Sequence, residues 1–166
     1  MKHRYTTVST RLGWMVIGGT DKGISFLTLP VTSMKELLDS NKYLVKDDVE
    51  DSSAFGDLPS RLQRYFDGLK EMFPDKVDYG ECSGFQEAVW SVTRSILYGE
   101  VRSYAWVAAQ VGKPGACRAV GRALARNRLP FIVPCHRVVA GDGTLCGFSG
   151  GLGLKRRLLD LEAGRI

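Results

Sequence analysis

The spacing of hydrophobic positions changes along the chain. Between residues 4 and 29 they come in short bursts: Tyr5-Thr6-Thr7-Val8, Trp14-Met15-Val16-Ile17 after the Gly13 turn, and Ile24-Ser25-Phe26-Leu27-Thr28-Leu29 after Thr20-Asp21-Lys22-Gly23. Runs of β-branched and aromatic residues between glycine turns predict three short strands in an antiparallel meander. The period then lengthens. Ser33 can cap a helix through Leu38, with Glu36 completing a capping box. The acidic stretch from Lys46 to Asp57 reads as a solvated loop. Leu58-Pro59-Ser60 opens a helix whose apolar residues Leu62, Tyr65, Phe66 and Leu69 recur at helical spacing, and Pro74 ends it. Residues 1–80 carry no chemical constellation and read as a small structural α/β domain, an antiparallel sheet with helices.

A short link from Val77 to Gly84 leads to a different pattern. Phe85, Val89, Val92 and Ile96 predict an amphipathic helix over 85–97, followed by a turn at Tyr98-Gly99-Glu100. Two more helices, Tyr104 to Val111 and Ala116 to about Ala125, flank Gly112-Lys113-Pro114-Gly115. A helix-turn-helix fits this arrangement, and an ordinary pair of antiparallel helices fits it as well. On the second of these helices Val120 and Leu124 share an inward face. Arg118, Arg122 and Arg126 lie opposite, flanked by Gly121 and Ala125. Small residues among arginines let a backbone approach a phosphate surface; a solvated cationic face is the competing reading. Val138-Val139-Ala140, the turn Gly141-Asp142-Gly143 and Thr144-Leu145 predict a hairpin that would serve as a wing. A last helix, from about Leu152 to Ala163, has Leu154, Leu158 and Leu161 as its stripe. Glu162 stands at the stripe's edge and Asp160 points away. A half-buried carboxylate there needs a partner, for which an imidazole N–H would serve, unless Glu162 reaches out to solvent.

Composition adds bounds. The 166 residues are 44% hydrophobic and 25% charged, ordinary values for a globular protein. No apolar run approaches the roughly 18 residues that a membrane span needs, and MKHRYTTVST lacks the apolar core of a signal peptide. A cytoplasmic protein with reduced thiols and no membrane partner is expected. The four cysteines (82, 117, 135, 146) form no CxxC pair, and His3 and His136 are the only histidines, which argues against a metal site. Charge is uneven. Residues 1–80 carry 11 Lys and Arg against 12 Asp and Glu, a net of −1, whereas residues 81–166 carry 12 against 6, a net of +6. A basic half beside a neutral one points to a polyanion as partner of the C-terminal part.

The candidate chemistry is Pro134-Cys135-His136-Arg137-Val138, a cysteine beside a histidine between two apolar runs. Thiols react as thiolates, and a free cysteine has a pKa of about 8.5. An adjacent imidazole that takes the proton makes such a thiol a nucleophile. A buried, inert cysteine is the bland alternative.

Five motifs in register extend this signal: Phe85-xxx-Val89-Trp90, Tyr98-Gly99-Glu100-Val101-xx-Ser103-Tyr104, Arg118-Ala119-Val120-Gly121-xx-Leu124-xx-Asn127, Pro134-Cys135-His136-Arg137-Val138 and Gly147-Phe148-Ser149-Gly150-Gly151. Residues 85–166 resemble the C-terminal domain of O6-alkylguanine-DNA alkyltransferases, also called methylated-DNA–protein-cysteine methyltransferases. The resemblance implies a winged helix-turn-helix domain over 85–166, and only weakly the family's ribonuclease-H-like domain over 1–80. It implies direct, single-use transfer of an alkyl group from O6 of a flipped-out guanine to Cys135, without a cofactor. The substrate would be double-stranded DNA met through its minor groove, by a monomer. Carried over by position, His136 would deprotonate Cys135 through a water, Glu162 would orient His136, Asn127 would brace the turn, and Tyr104 would assist the leaving guanine. Arg118 would enter the duplex in place of the flipped nucleotide, with Ser103, Cys117, Ala119, Gly121 and Arg122 also at the DNA. Leu124, Pro130, Val138, Phe148 and Ser149 would line the base pocket. Three positions depart from the family's usual residues: Phe148 (often tyrosine), Cys117 (often alanine) and Leu97 (often proline). Cys82 and Cys146 read as bystanders. The alternative is a non-catalytic protein that recognises alkylated DNA; such relatives lack the acceptor cysteine. A redox-sensing winged-helix regulator and a cysteine hydrolase fit less of the chain.

Overall fold

The computed structural model describes residues 3–166. The chain divides into two compact units, Met1–Gly80 and Glu81–Ile166.

In the first unit, strands β1 (Arg4–Thr10), β2 (Gly13–Thr20) and β3 (Gly23–Leu27) form the expected meander. The sheet is nevertheless mixed, because β4 (Val49–Glu50) pairs parallel with β1, giving the order β3-β2-β1-β4. The acidic segment is therefore not simply a loop. It holds β4 and a 3-10 turn, Ser52–Phe55, that buries Phe55. Backbone pairing with an open strand edge overrides a composition that reads as solvated. Helix α1 (Met34–Val45) continues past Leu38. Ser33 caps it by accepting the Glu36 N–H at 3.1 Å, but the Glu36 carboxylate accepts from Thr32 N and Oγ1 rather than closing a box on Ser33. Val16 and Phe26 pack with Leu37 of α1, and helix α2 (Leu58–Phe66) packs on β1. α2 stops at Asp67, well before Pro74, and Leu69 lies exposed beyond it.

The second unit is mainly helical: α3 (Gly84–Arg94), β5 (Arg102–Ser103), α4 (Tyr104–Gln110), α5 (Cys117–Ala125), a 3-10 turn at Cys135–Arg137, β6 (Val138–Val139) and α6 (Gly151–Glu162). Ser83 and Gln86 form a complete capping box on α3, which ends three residues earlier than its apolar spacing predicts. Val89, Trp90, Val107, Val120, Ala123 and Leu124 make the core shared by α3, α4 and α5. The indole N–H of Trp90 donates to the Ala123 carbonyl at 2.9 Å, fixing α5 against α3. The predicted hairpin does not form. β6 pairs parallel with β5 instead, and the turn at Asp142 is closed by the Ala140 N–H to Thr144 carbonyl and Gly143 N–H to Ala140 carbonyl bonds, after which the chain is a loop as far as α6. The Cys146 carbonyl accepts from Tyr104 and Lys155, so the segment is drawn onto α4 and α6 and leaves β6 without a second strand.

Candidate active site

The approach to Cys135 is built from tight turns. Phe131 has φ 73°, the sole positive value for a non-glycine among the described residues. The Ile132 N–H bonds back to the Pro130 carbonyl at 3.0 Å. This is the strained form of γ-turn, and a bulky side chain occupies that backbone only where its surroundings impose it. The surroundings here are specific. Phe131 is buried, and the Val133 N–H returns to the Leu129 carbonyl at 2.8 Å. Asn127 donates to the Val133 carbonyl at 2.9 Å and accepts the Leu129 N–H at 2.9 Å. The same Asn127 amide reaches the Cys135 sulfur at 3.3 Å. Asn127 thus ties the turn to the sulfur atom that the turn presents.

Behind Cys135 lies a buried ion-pair cluster. His136 Nε2 is 2.7 Å from Glu162 Oε1, and both side chains are 1% exposed. Arg137 donates to the same carboxylate through Nε (2.9 and 3.2 Å) and Nη2 (2.9 Å), and through Nη1 to the Ile96 carbonyl at 2.7 Å. The Gly99 N–H adds a further bond at 3.1 Å; Gly99 has φ 81°, and a Cβ there would sit 3.4 Å from the Glu162 carbonyl. Burial raises the Glu162 pKa, but the bonds and charges of His136 and Arg137 outweigh it and hold the group at about 2. Glu162 is therefore ionised and takes a proton-bearing Nε2, which leaves the lone pair of His136 on Nδ1. Burial pushes the His136 pKa down against the pull of Glu162, so the imidazole is neutral and able to accept a proton. Burial also raises the Cys135 thiol, against the Asn127 bond and the charge of Lys155. A resting thiol next to a neutral, oriented base is the arrangement that nucleophilic cysteine chemistry requires.

Cys135 opens into a cavity of about 850 Å3 lined by α4, α5 and the loop before α6. Of the residues expected at the site, Tyr104, Cys117, Arg118, Gly121, Arg122, Leu124, Phe148 and Ser149 line it. Arg118 and Arg122 are exposed there. Others lie elsewhere. Pro130 is buried in the γ-turn, and Val138 is buried with its carbonyl turned to Lys155; neither lines the cavity, because the chain turns both into the core. Ala119 is half-buried on α5 outside the lining, and the Ser103 hydroxyl accepts the Trp106 N–H at 3.0 Å as the cap of α4. The Tyr104 hydroxyl donates to the Cys146 carbonyl at 3.0 Å, and burial drives its pKa upward, so it stays protonated. Cys146, read from sequence as a bystander, lines the cavity too.

Sequence reasoning missed two buried cations, Arg137 and Lys155. Lys155 donates to the Val138 carbonyl at 2.6 Å and the Cys146 carbonyl at 3.0 Å. A signal existed for it: Lys155, Leu158 and Glu162 are spaced i, i+3, i+7 on one stripe of α6.

Comparison with known proteins finds relatives of the chain. The family model described as "6-O-methylguanine DNA methyltransferase, DNA binding domain" matches residues 84–164. The chain is 35% identical to the methylated-DNA–protein-cysteine methyltransferase of Methanosarcina barkeri over 98% of both chains. It is 45% identical to that of Mycobacterium leprae over 70% of both. The crystal structure of Mycobacterium tuberculosis OGT in complex with DNA superposes with a TM-score of 0.79 at 36% identity, covering 98% of this chain and 94% of that one. Likeness over nearly the full length, in sequence and in structure, settles the assignment: the chain belongs to the methylated-DNA–protein-cysteine methyltransferase family.

Proposed function

We propose that this protein repairs DNA by moving the alkyl group of an O6-alkylguanine directly and irreversibly onto Cys135 Sγ, once per molecule. The observation that carries the reading is Cys135 in the lining of a cavity that Arg118 and Arg122 also line, with the next residue, His136, bonded to Glu162 in the interior. The Cys135 proton passes to His136 Nδ1 through a water, and Glu162 stabilises the imidazolium. The thiolate attacks the alkyl carbon, the S–C bond forms, and the C–O6 electron pair leaves with the guanine. The Tyr104 hydroxyl hydrogen-bonds the ring nitrogen of the leaving guanine, and the proton held on His136 returns through water to neutralise that base. The arrangement parallels hydrolytic triads, but the thioether is a poor leaving group and ends the reaction. No cofactor takes part.

O6 of guanine lies within the base stack, so the nucleotide must be extruded, at a cost of a few kcal/mol. Arg118, exposed at the start of α5, fills the vacated place. Gly121 and Ala125 allow α5 into a narrow minor groove, and Cys117, Ala119, Arg122 and Ser103 flank that contact. We read α4, the turn and α5 as a helix-turn-helix whose wing is a loop, acting as a monomer in the cytoplasm. The residues 1–80 unit, with its 3-2-1-4 sheet, we read as a ribonuclease-H-like structural domain, leaving DNA binding and alkyl acceptance to residues 85–166.

The test is nucleoside analysis of a duplex carrying one O6-methylguanine. Guanine restored in amount equal to the protein added, with no further repair at excess duplex, is the expected result. Restoration well beyond one per chain, or none, would refute the reading.

A further inference from the structure

Three of the four cysteines line one cavity: Cys117 on α5, Cys135 in its 3-10 turn and Cys146 in the loop before α6. They differ in what holds them. Cys117 is fixed in the first turn of a helix, and the Cys135 sulfur is held by the Asn127 amide. Cys146 is the one exposed thiol, the other three being half-buried. Its loop is loosely tied: among the described residues, no amide from Leu145 to Gly150 donates a backbone–backbone hydrogen bond. Such a segment can adjust to the narrow spacing that a disulfide demands, whereas a helical cysteine cannot without distorting the helix.

The fold draws Cys146 toward Cys135. The Cys146 carbonyl accepts from the Tyr104 hydroxyl and from Lys155, each at 3.0 Å, and Lys155 also holds the carbonyl of Val138, just past the Cys135–Arg137 turn. One ammonium thus ties the two cysteine-bearing segments together. Both sulfurs act through space on the Tyr104 hydroxyl and on that ammonium. The ring that a bond between them would close, residues 135–146, is short, so its entropic cost is low. We propose that Cys146 is the redox partner of Cys135: hydrogen peroxide joins the two thiols in a reversible disulfide that withholds the acceptor sulfur until a reducing thiol releases it. The consequence for repair rests on the reading of Cys135 as the alkyl acceptor. Cys146, the exposed thiol, meets the peroxide first; its sulfur takes one oxygen as a sulfenic acid, and the other oxygen leaves as water. His136 then takes the Cys135 proton, the thiolate attacks the Cys146 sulfur, the S–S bond forms and the S–O bond breaks. The hydroxide departs with that proton as a second water. Two thiols are oxidised and one peroxide is reduced. Exchange with a reducing thiol reverses the bond, whereas a lone acceptor sulfur carried on to sulfinic acid is lost. For a sulfur that is used once, the disulfide is a protected form.

The test needs no DNA. The native protein and Cys146→Ser are treated with a small molar excess of hydrogen peroxide, then read by intact mass and by a non-reducing peptide map. The native chain should lose two hydrogen atoms, yield a peptide pair linked through Cys135 and Cys146, and lose Cys135 labelling by iodoacetamide. Dithiothreitol should restore both mass and labelling. In Cys146→Ser, compared with its own untreated sample, no such link forms, and Cys135 gains oxygen that dithiothreitol does not fully remove. A native chain that gains oxygen without losing hydrogen would overturn the proposal. So would a link from Cys135 to Cys117, or the same reversible block in Cys146→Ser. Should Cys146→Ser fail to fold, the native peptide map decides alone: the Cys135–Cys146 pair is present or the proposal falls. Methyl transfer enters none of these readouts, so a failure of the repair reading and a failure of the disulfide are distinguishable.

Discussion

His136 Nε2 meets Glu162 Oε1 at 2.7 Å in the interior of the protein, with both side chains 1% exposed. Arg137, the next residue in sequence, grips the same carboxylate. The carboxylate therefore orients a base and neutralises a buried guanidinium at once. Removing one partner of a buried pair leaves an uncompensated charge and costs about 3 to 5 kcal/mol. Glu162→Gln should lose stability of that order in urea unfolding and should slow methyl transfer, because Nε2–H loses its charged acceptor. A variant that unfolds like the native protein would show that the pair contributes nothing.

Acid should weaken the fold in two stages, and the sign follows from the shifts. Glu162 is held at about 2 against an ordinary 4.5, and His136 is pushed below 6.5. In both cases the unfolded chain binds more protons, so stability falls as pH falls. The His136 contribution begins to be lost below about pH 6.5 and the Glu162 contribution below about pH 4.5. Thermal unfolding midpoints measured between pH 8 and pH 3 check this, and the step below pH 4.5 should shrink in Glu162→Gln.

Asn127 serves three atoms with one side chain: the Val133 carbonyl, the Leu129 N–H and the Cys135 sulfur. Asn127→Ala leaves buried backbone groups unpaired, at about 1 to 3 kcal/mol, and releases the strained turn at Phe131. Both a lower unfolding midpoint and a slower transfer rate are expected. A change in rate with no change in stability would mean that only the contact to sulfur matters.

Arg118→Ala should slow repair of duplex DNA more than repair of the same lesion in a single strand, where no stack has to be refilled. Because Arg118, Arg122, Arg126, Arg128 and Lys113 are exposed, duplex affinity should fall steeply with salt, and each lost phosphate contact should reduce the slope by about one. Affinity flat from low to physiological salt would contradict this.

Much of the site was legible in the sequence because it is local. The wheel of α5 separates Val120 and Leu124, both buried, from Arg118 and Arg122, both exposed, and Cys135 and His136 are adjacent. What escaped depends on distant partners. Arg137 and Lys155 acquire a role only when Glu162, Ile96, Val138 and Cys146 are brought around them. The wing was predicted from an Asp-Gly turn, a signal that holds only where two strands are free to pair; here Val138–Val139 is taken by Arg102–Ser103. β4 escaped because Val49 and Glu50, two residues of an acidic stretch, pair through their backbone.

The most direct test of the central claim is intact-protein mass after incubation with a duplex carrying one O6-methylguanine, beside Cys135→Ala. The predicted result is a gain of one methyl group per chain, located on the Cys135 peptide, absent in Cys135→Ala and not exceeded with excess DNA. No gain in the native protein, or a gain that persists in Cys135→Ala, would contradict the account.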